Sequence, residues 1–201
     1  MKLYYAPGAC SLAPHIIVRE ANLDVALDKV AFAPERRTEG GRDFYEINPQ
    51  GAVPTLELDD GKILTEAQVL LQYLAAQAPD KKLLPSEGFA KWRALETLNF
   101  IATELHKGIG ALFKKPGPEA RPGIEANIAS RLGLLDGKLG DQDYLLGDFS
   151  VADAYAFVTL RWAKAFKIDL SPWPRLEAYF QRVQARPAVQ AALAAEGLPA
   201  G

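Results

Sequence analysis

The chain has one cysteine, one methionine and two histidines among its 201 residues. A single thiol cannot close an intrachain disulfide, and so few sulfur and imidazole groups leave no cluster resembling a structural zinc site. Charge of one sign is missing too. Lys plus Arg number 23 against 25 for Asp plus Glu, a net charge of −2, which is not the basic footprint of a nucleic-acid surface. No apolar run is long enough to span a membrane. The opening Met1-Lys2-Leu3-Tyr4-Tyr5-Ala6-Pro7-Gly8 breaks its apolar stretch too early for a secretory signal. These absences point to a cytoplasmic protein that has neither membrane nor nucleic acid as a partner and holds no metal. What remains is 49% hydrophobic, ordinary for a globular protein and sufficient for one domain or two small ones.

The one thiol is placed where it can act. Cys10 follows a strand-like run, Lys2-Leu3-Tyr4-Tyr5, and the turn Ala6-Pro7-Gly8-Ala9, and it opens a helical stretch from Ser11 to Glu20. Unpaired N–H groups and the positive end of the helix dipole favour the thiolate there. A lone cysteine also serves as a small buried hydrophobe, so position alone leaves both roles open. Strand, tight turn, thiol and helix form the opening unit of thioredoxin-like folds. Cys10-Ser11-Leu12-Ala13 lacks the second thiol of a Cys-x-x-Cys couple, which points to glutathione instead of a dithiol.

Val25 to Ala33 reads as a second strand, followed by a charged connection through Glu35-Arg36-Arg37. Phe44 to Ile47 can make one or two helical turns. Val53–Leu58 and Lys62–Leu64 flank Asp59-Asp60-Gly61, a hairpin signal. Helical spacing resumes with Val69, Leu70, Tyr73 and Leu74, and the Thr65/Gln68 spacing of a capping box predicts a start at Glu66. The order is βαβ then ββα, so residues 1–80 read as a thioredoxin-like α/β domain with a mixed four-stranded sheet. Residues 81–86 read as a linker and 87–201 as an all-helical domain. Helical spacing there runs through Trp92, Leu95, Leu98, Ala102, Leu105 and Leu112, then through Ile124, Ile128, Leu132, Leu135 and Leu139. A further helix spans Val151 to about Phe166, and Pro174 and Pro187 open two more. Ser150 and Asp153 form a Ser-x-x-Asp box before Val151. Asn99, Thr103 and His106, spaced four and three, fall on one helical face bordered by Lys107. His15, five residues after Cys10, reads as structural.

Lys2-Leu3-Tyr4-Tyr5-x-Pro7-Gly8-x-Cys10-Ser11-Leu12-x-Pro14-His15, Asn48-Pro49-x-Gly51-x-Val53-Pro54, Leu64-Thr65-Glu66, Leu98-Asn99-Phe100, Glu104-Leu105-His106-Lys107 and Gly147-Asp148-Phe149-Ser150-Val151-Ala152-Asp153 occur in this order. Together they resemble the cytosolic glutathione transferases, and within them the bacterial beta class. The resemblance implies a homodimeric enzyme with glutathione as co-substrate. It implies a cis peptide at Pro54, with the Val53 backbone pairing the cysteinyl part of glutathione. It assigns Glu66 to the γ-glutamyl amino group and the N–H groups of Glu66 and Ala67 to the adjoining carboxylate. Arg36 is the choice for the glycyl carboxylate. His106 and Lys107 go to thiolate stabilisation or proton transfer, and Asn99 and Thr103 to ligand contact. Tyr5 and Ser11 are rivals of Cys10 as partner of the glutathione sulfur. Ala9, Leu112, Phe113 and Phe166 are candidates to line an apolar electrophile site. Conjugation of glutathione to an apolar electrophile is the expected reaction. Thiol–disulfide or peroxide reduction through a Cys10 mixed disulfide competes with it, and a non-catalytic interaction protein on the same fold is the third reading.

Overall fold

The computed structural model describes residues 1–32 and 35–199. Ala33, the predicted end of the second strand, and Pro34 lie outside these residues, as do Ala200 and Gly201. The chain divides into two compact units, one formed by Met1–Leu83 together with the segment from Arg186, the other by Leu84–Ala185.

In the first unit, strand β1 (Lys2–Tyr5) leads to helix α1 (Leu12–Glu20), then β2 (Ala26–Lys29), β3 (Thr55–Glu57), β4 (Ile63–Thr65) and helix α2 (Ala67–Ala76). The sheet order is β2-β1-β3-β4. β1 runs parallel to β2, with Leu3 opposite Leu27, and antiparallel to β3, with Leu3 opposite Leu56. β4 completes the hairpin, Leu64 opposite Leu56, across the Asp59-Asp60-Gly61 turn. This is the mixed four-stranded thioredoxin-like arrangement read from the sequence. Side chains alternate across the sheet. Tyr4 goes to one face and joins Val30, Phe44, Ile47 and Val53, while Tyr5 goes to the other and meets the His15 ring of α1 at 5.9 Å. The second strand is shorter than the predicted Val25–Ala33, because beyond Lys29 the chain leaves the ladder and Val30 bridges to Thr38.

Two boundaries differ from the sequence reading. Thr65 is not a helix cap: it stays extended in β4, paired with Thr55. Glu66 is the residue that turns into α2, at φ 69° and ψ 116°, without a side-chain cap. The C-terminal helix α8 (Pro187–Ala195) belongs with the first unit and not with the helical domain predicted for 87–201. It lies antiparallel to α1: Arg186 at its start grips Glu20 through two hydrogen bonds of 2.6 and 3.0 Å, and Glu196 at its end reaches His15.

The second unit contains α3 (Gly88–Phe100), a π-helical turn (Ile101–His106), α4 (Lys107–Gly110), α5 (Arg121–Leu139), α6 (Val151–Ala165) and α7 (Pro174–Gln184). α6 is its axis, with every residue from Val151 to Leu160 buried, as a helix apolar on all sides requires. Phe157 stacks on Phe180 of α7 at 5.0 Å. The buried stripe of α3 is Ala94, Thr97 and Leu98. Trp92, assigned to that stripe by spacing, is 63% exposed.

The Ser150/Asp153 capping box forms as predicted. Asp153 also accepts from Leu145 N–H at 2.9 Å and from the Tyr179 hydroxyl at 2.9 Å, all of it buried. Asp153→Ala therefore removes a cap and orphans two further donors. We expect a loss of about 3 kcal/mol in urea unfolding, against about 1 kcal/mol for Ser150→Ala.

Candidate active site

The turn Ala6-Pro7-Gly8-Ala9 has proline second and glycine third, and Gly8 sits at φ +72°, the left-handed region that a type II turn demands. The Ala9 N–H closes it onto the Ala6 carbonyl at 3.0 Å. Ser11 then clamps it. Its Oγ accepts from Ala6 N–H at 3.1 Å and donates to the Ala6 carbonyl at 3.2 Å, fully buried. A hydroxyl with both functions committed to the backbone holds the turn instead of facing a ligand. Tyr5, the other rival partner for a sulfur, is also buried, and burial above all, then the Glu196 carboxylate, raises its hydroxyl pKa.

Cys10 is half-buried, and its thiol donates to the Val53 carbonyl at 3.2 Å. Two effects compete at this sulfur. The N–H groups of Cys10 and Ser11 favour the thiolate, as the helix start suggested, but burial dominates and, helped by the Glu66 carboxylate, pushes the thiol up to about 12. The expected thiolate-rich cysteine is instead a protonated donor.

Val53 is set by the turn before it. Asn48, itself buried, donates through Nδ2 to the Ala52 carbonyl at 2.9 Å and to Thr55 Oγ1 at 3.0 Å. The Val53–Pro54 peptide is cis. Arg36 is half-buried, and its guanidinium donates to the Gly51 carbonyl of the same turn. Arg37 turns away to Glu35 at 3.2 Å and the Gly41 carbonyl at 3.0 Å. Glu66 presents an exposed carboxylate at the start of α2, where the N–H groups of Ala67 and Gln68 have no carbonyl four residues back within the helix. Its positive φ of 69° is costly for a non-glycine residue. The structure thus brings Cys10 to the Val53 carbonyl and Arg36 to the turn before it, with the Glu66 charge, next to Ala67 at the start of α2, felt at the Cys10 sulfur.

The residues of the second unit divide. The π-helical turn takes more residues per turn than an α-helix, so spacings of four and three no longer keep Asn99, Thr103 and His106 on one face. Asn99 and Thr103 are exposed, and the Thr103 hydroxyl donates to the Asn99 carbonyl at 3.0 Å. His106 is half-buried among aromatics: its Nδ1 lies 2.6 Å from the Tyr155 hydroxyl and its ring 5.0 Å from that of Trp162. Burial first, then Lys107, lowers its pKa. Lys107 is exposed. Sequence reasoning missed Tyr155 and Trp162 as the partners of His106, and Glu196 beside the Cys10 turn.

The family model of the glutathione S-transferase N-terminal domain matches residues 8–77, and that of the C-terminal domain matches 100–187. The chain belongs to the glutathione S-transferase family. It is 45% identical to the glutathione S-transferase GstA of Escherichia coli O157:H7, over 98% of this chain and all of that one. A sphingomonad glutathione S-transferase solved in complex with glutathione superposes with a TM-score of 0.93 at 44% identity, covering 99% of this chain and 100% of that one. The beta-class glutathione S-transferase of Sphingomonas chungbukensis gives the same values. This glutathione S-transferase therefore has bacterial beta-class enzymes among its solved neighbours, as the motifs implied.

The raised thiol pKa carries a stability consequence. Between about pH 9, where an unfolded cysteine ionises, and about pH 12, the unfolded chain releases a proton that the folded chain keeps. Unfolded chains then bind fewer protons, so stability falls as pH rises through that window. The thiolate ultraviolet absorbance of the folded protein should stay absent through pH 9, and Cys10→Ser should flatten the alkaline fall in urea midpoint.

Proposed function

We propose that this glutathione S-transferase binds reduced glutathione on its first unit and conjugates it, through its sulfur, to apolar electrophiles. The observation that carries the reading is the Val53 carbonyl, held by the Asn48 turn and set against the Cys10 thiol at 3.2 Å. A peptide backbone laid along Val53 would add like an extra strand, bringing its cysteinyl sulfur to Cys10. Arg36, already turned into the Gly51 loop, suits the glycyl carboxylate. Glu66 suits the γ-glutamyl amine, and the first N–H groups of α2, including that of Ala67, suit the neighbouring carboxylate. In the reaction the glutathione sulfur gives up its proton, directly to water or by way of His106, and its lone pair forms an S–C bond. The leaving group, such as halide, departs with the electrons of the broken bond. Holding and deprotonating that sulfur is the protein's task.

His106 and Lys107 are proposed to assist the proton, with Asn99 and Thr103 as ligand contacts, on the family resemblance. His106 is better suited to accept a proton than to carry a charge, given its lowered pKa. The apolar electrophile is assigned to the aromatic group of the second unit, where the exposed ring of Phe113 meets Phe166 at 4.7 Å and Trp162 at 5.4 Å. The protonated Cys10 counts against the mixed-disulfide alternative, which needs a thiolate. A homodimer in the cytoplasm completes the reading. Phe89 and Trp92, 73% and 63% exposed on α3, are the apolar surface such an assembly would cover.

Calorimetric titration with reduced glutathione tests the reading. The wild-type chain should bind in the micromolar to low-millimolar range, and Arg36→Ala and Glu66→Gln should each weaken binding about tenfold or more through loss of a charged contact. No heat at several temperatures would exclude it. Sedimentation of Trp92→Glu should show monomer where wild type shows dimer.

A further inference from the structure

The carboxylate of Glu196 lies in the first unit with no exposed side-chain surface. One oxygen, Oε2, accepts from the Gly8 N–H at 2.9 Å, two residues before Cys10. The other, Oε1, lies 2.9 Å from His15 Nδ1. Arg19 Nε donates to His15 Nε2 at 3.3 Å, so that nitrogen is the acceptor and the ring proton sits on Nδ1, facing Glu196. Both carboxylate oxygens are thus used, one on the backbone of the cysteine turn and one on the helix beyond it.

The end of α8 is built to deliver this group. Gly197 at φ +67° ends the helix, its N–H bonding the Ala194 carbonyl at 3.0 Å while Leu198 N–H bonds Leu193 at 2.9 Å. That pair of bonds is the Schellman termination, and it fixes Glu196 at the cap. The termination also sends Leu198 back over the turn, where its side chain would lie 3.5 Å from a Cβ placed on Gly8. A charged group withdrawn from water is costly unless fully paired, and α1 and α8 have a second, more accessible clamp at Glu20–Arg186 to hold them together.

We propose that Glu196 is a positioning residue for the Cys10 turn: through Gly8 and His15 it sets where the thiol sits against Val53. It acts through the turn and touches no reacting atom. The Cys10 placement rests on geometry alone, and only its consequence for glutathione rests on the proposed function.

Cys10 is the single cysteine of the chain, so its rate of modification by iodoacetamide reports the turn without any glutathione. Glu196→Gln keeps one acceptor oxygen and sets an amide N–H against the other of the two donors, the Gly8 N–H or His15 Nδ1. Under conditions where each variant is folded, Glu196→Gln should react about tenfold faster than wild type as the thiol leaves its half-buried bond to Val53. Arg186→Ala, which breaks the other clamp, should lower the urea midpoint yet keep the wild-type rate. Glu196→Asp should fall between, and it carries the test if Glu196→Gln does not fold. An unchanged or slower rate in the Glu196 variants, or equal acceleration in Arg186→Ala, would reduce Glu196 to helix docking and overturn the proposal. If wild type binds no glutathione but these rates behave as expected, the functional reading fails and the positioning role stands. Where it does bind, Glu196→Gln should raise the glutathione KM more than it lowers kcat.

Discussion

Strand β1 has no free edge and no free face. One edge is paired in parallel with β2 and the other antiparallel with β3, and Leu3, Tyr4 and Tyr5 are all buried. Four residues so confined dictate where the neighbouring segments must lie. Tyr4 anchors the Phe44–Val53 segment on one face, and Tyr5 meets α1 on the other. The turn that carries Cys10 leaves the end of this strand. A shift of one residue in β1 would exchange the two faces, detaching the Val53 loop and the first helix together.

The thiol shows how two local effects are ranked. Backbone N–H groups at a helix start are a fixed gain for a thiolate, but they are few, whereas desolvation acts on the whole charge. At Cys10 desolvation wins and the proton stays, so the sulfur enters a hydrogen bond as a donor. Such a group suits recognition of another sulfur better than attack by its own. Burial, which no motif records, is what separates these two roles at this position.

The parts of the structure that were legible in the sequence are those whose partners are local. Pro7-Gly8 announced the turn, Asp59-Asp60-Gly61 the hairpin, and Ser150 with Asp153 a helix start. Thr65 with Gln68 has the same kind of spacing as Ser150 with Asp153, yet only the latter caps. Thr65 is held in a ladder opposite Thr55, while Ser150 is at φ −143° with its hydroxyl free to meet the N–H groups of α6. Counting by 3.6 failed from Ile101 to His106 because the backbone there forms wider turns, so the polar strip drawn through Asn99 and His106 does not persist. Arg36 was chosen from the sequence, but its hold on the Gly51 carbonyl, fifteen residues on, is a tertiary contact that no motif records. Glu196 had no sequence signal at all, since its partners Gly8 and His15 stand at the far end of the chain.

Because α8 docks on α1, the first unit is discontinuous along the chain: it begins at Met1, is interrupted after Leu83, and resumes only at Arg186. A ribosome makes the strands and the cysteine turn early, but the helix that covers α1 comes only after the whole second unit has been made. Until then α1 lacks the cover that the α8 segment gives it at His15 and Glu20, a state that favours association with other chains. Cutting the chain at the apparent linker would likewise release an incomplete body, not an autonomous domain. Fold boundaries and chain boundaries do not coincide here, and the fragment a cloner would choose from the sequence is one that the packing does not recognise.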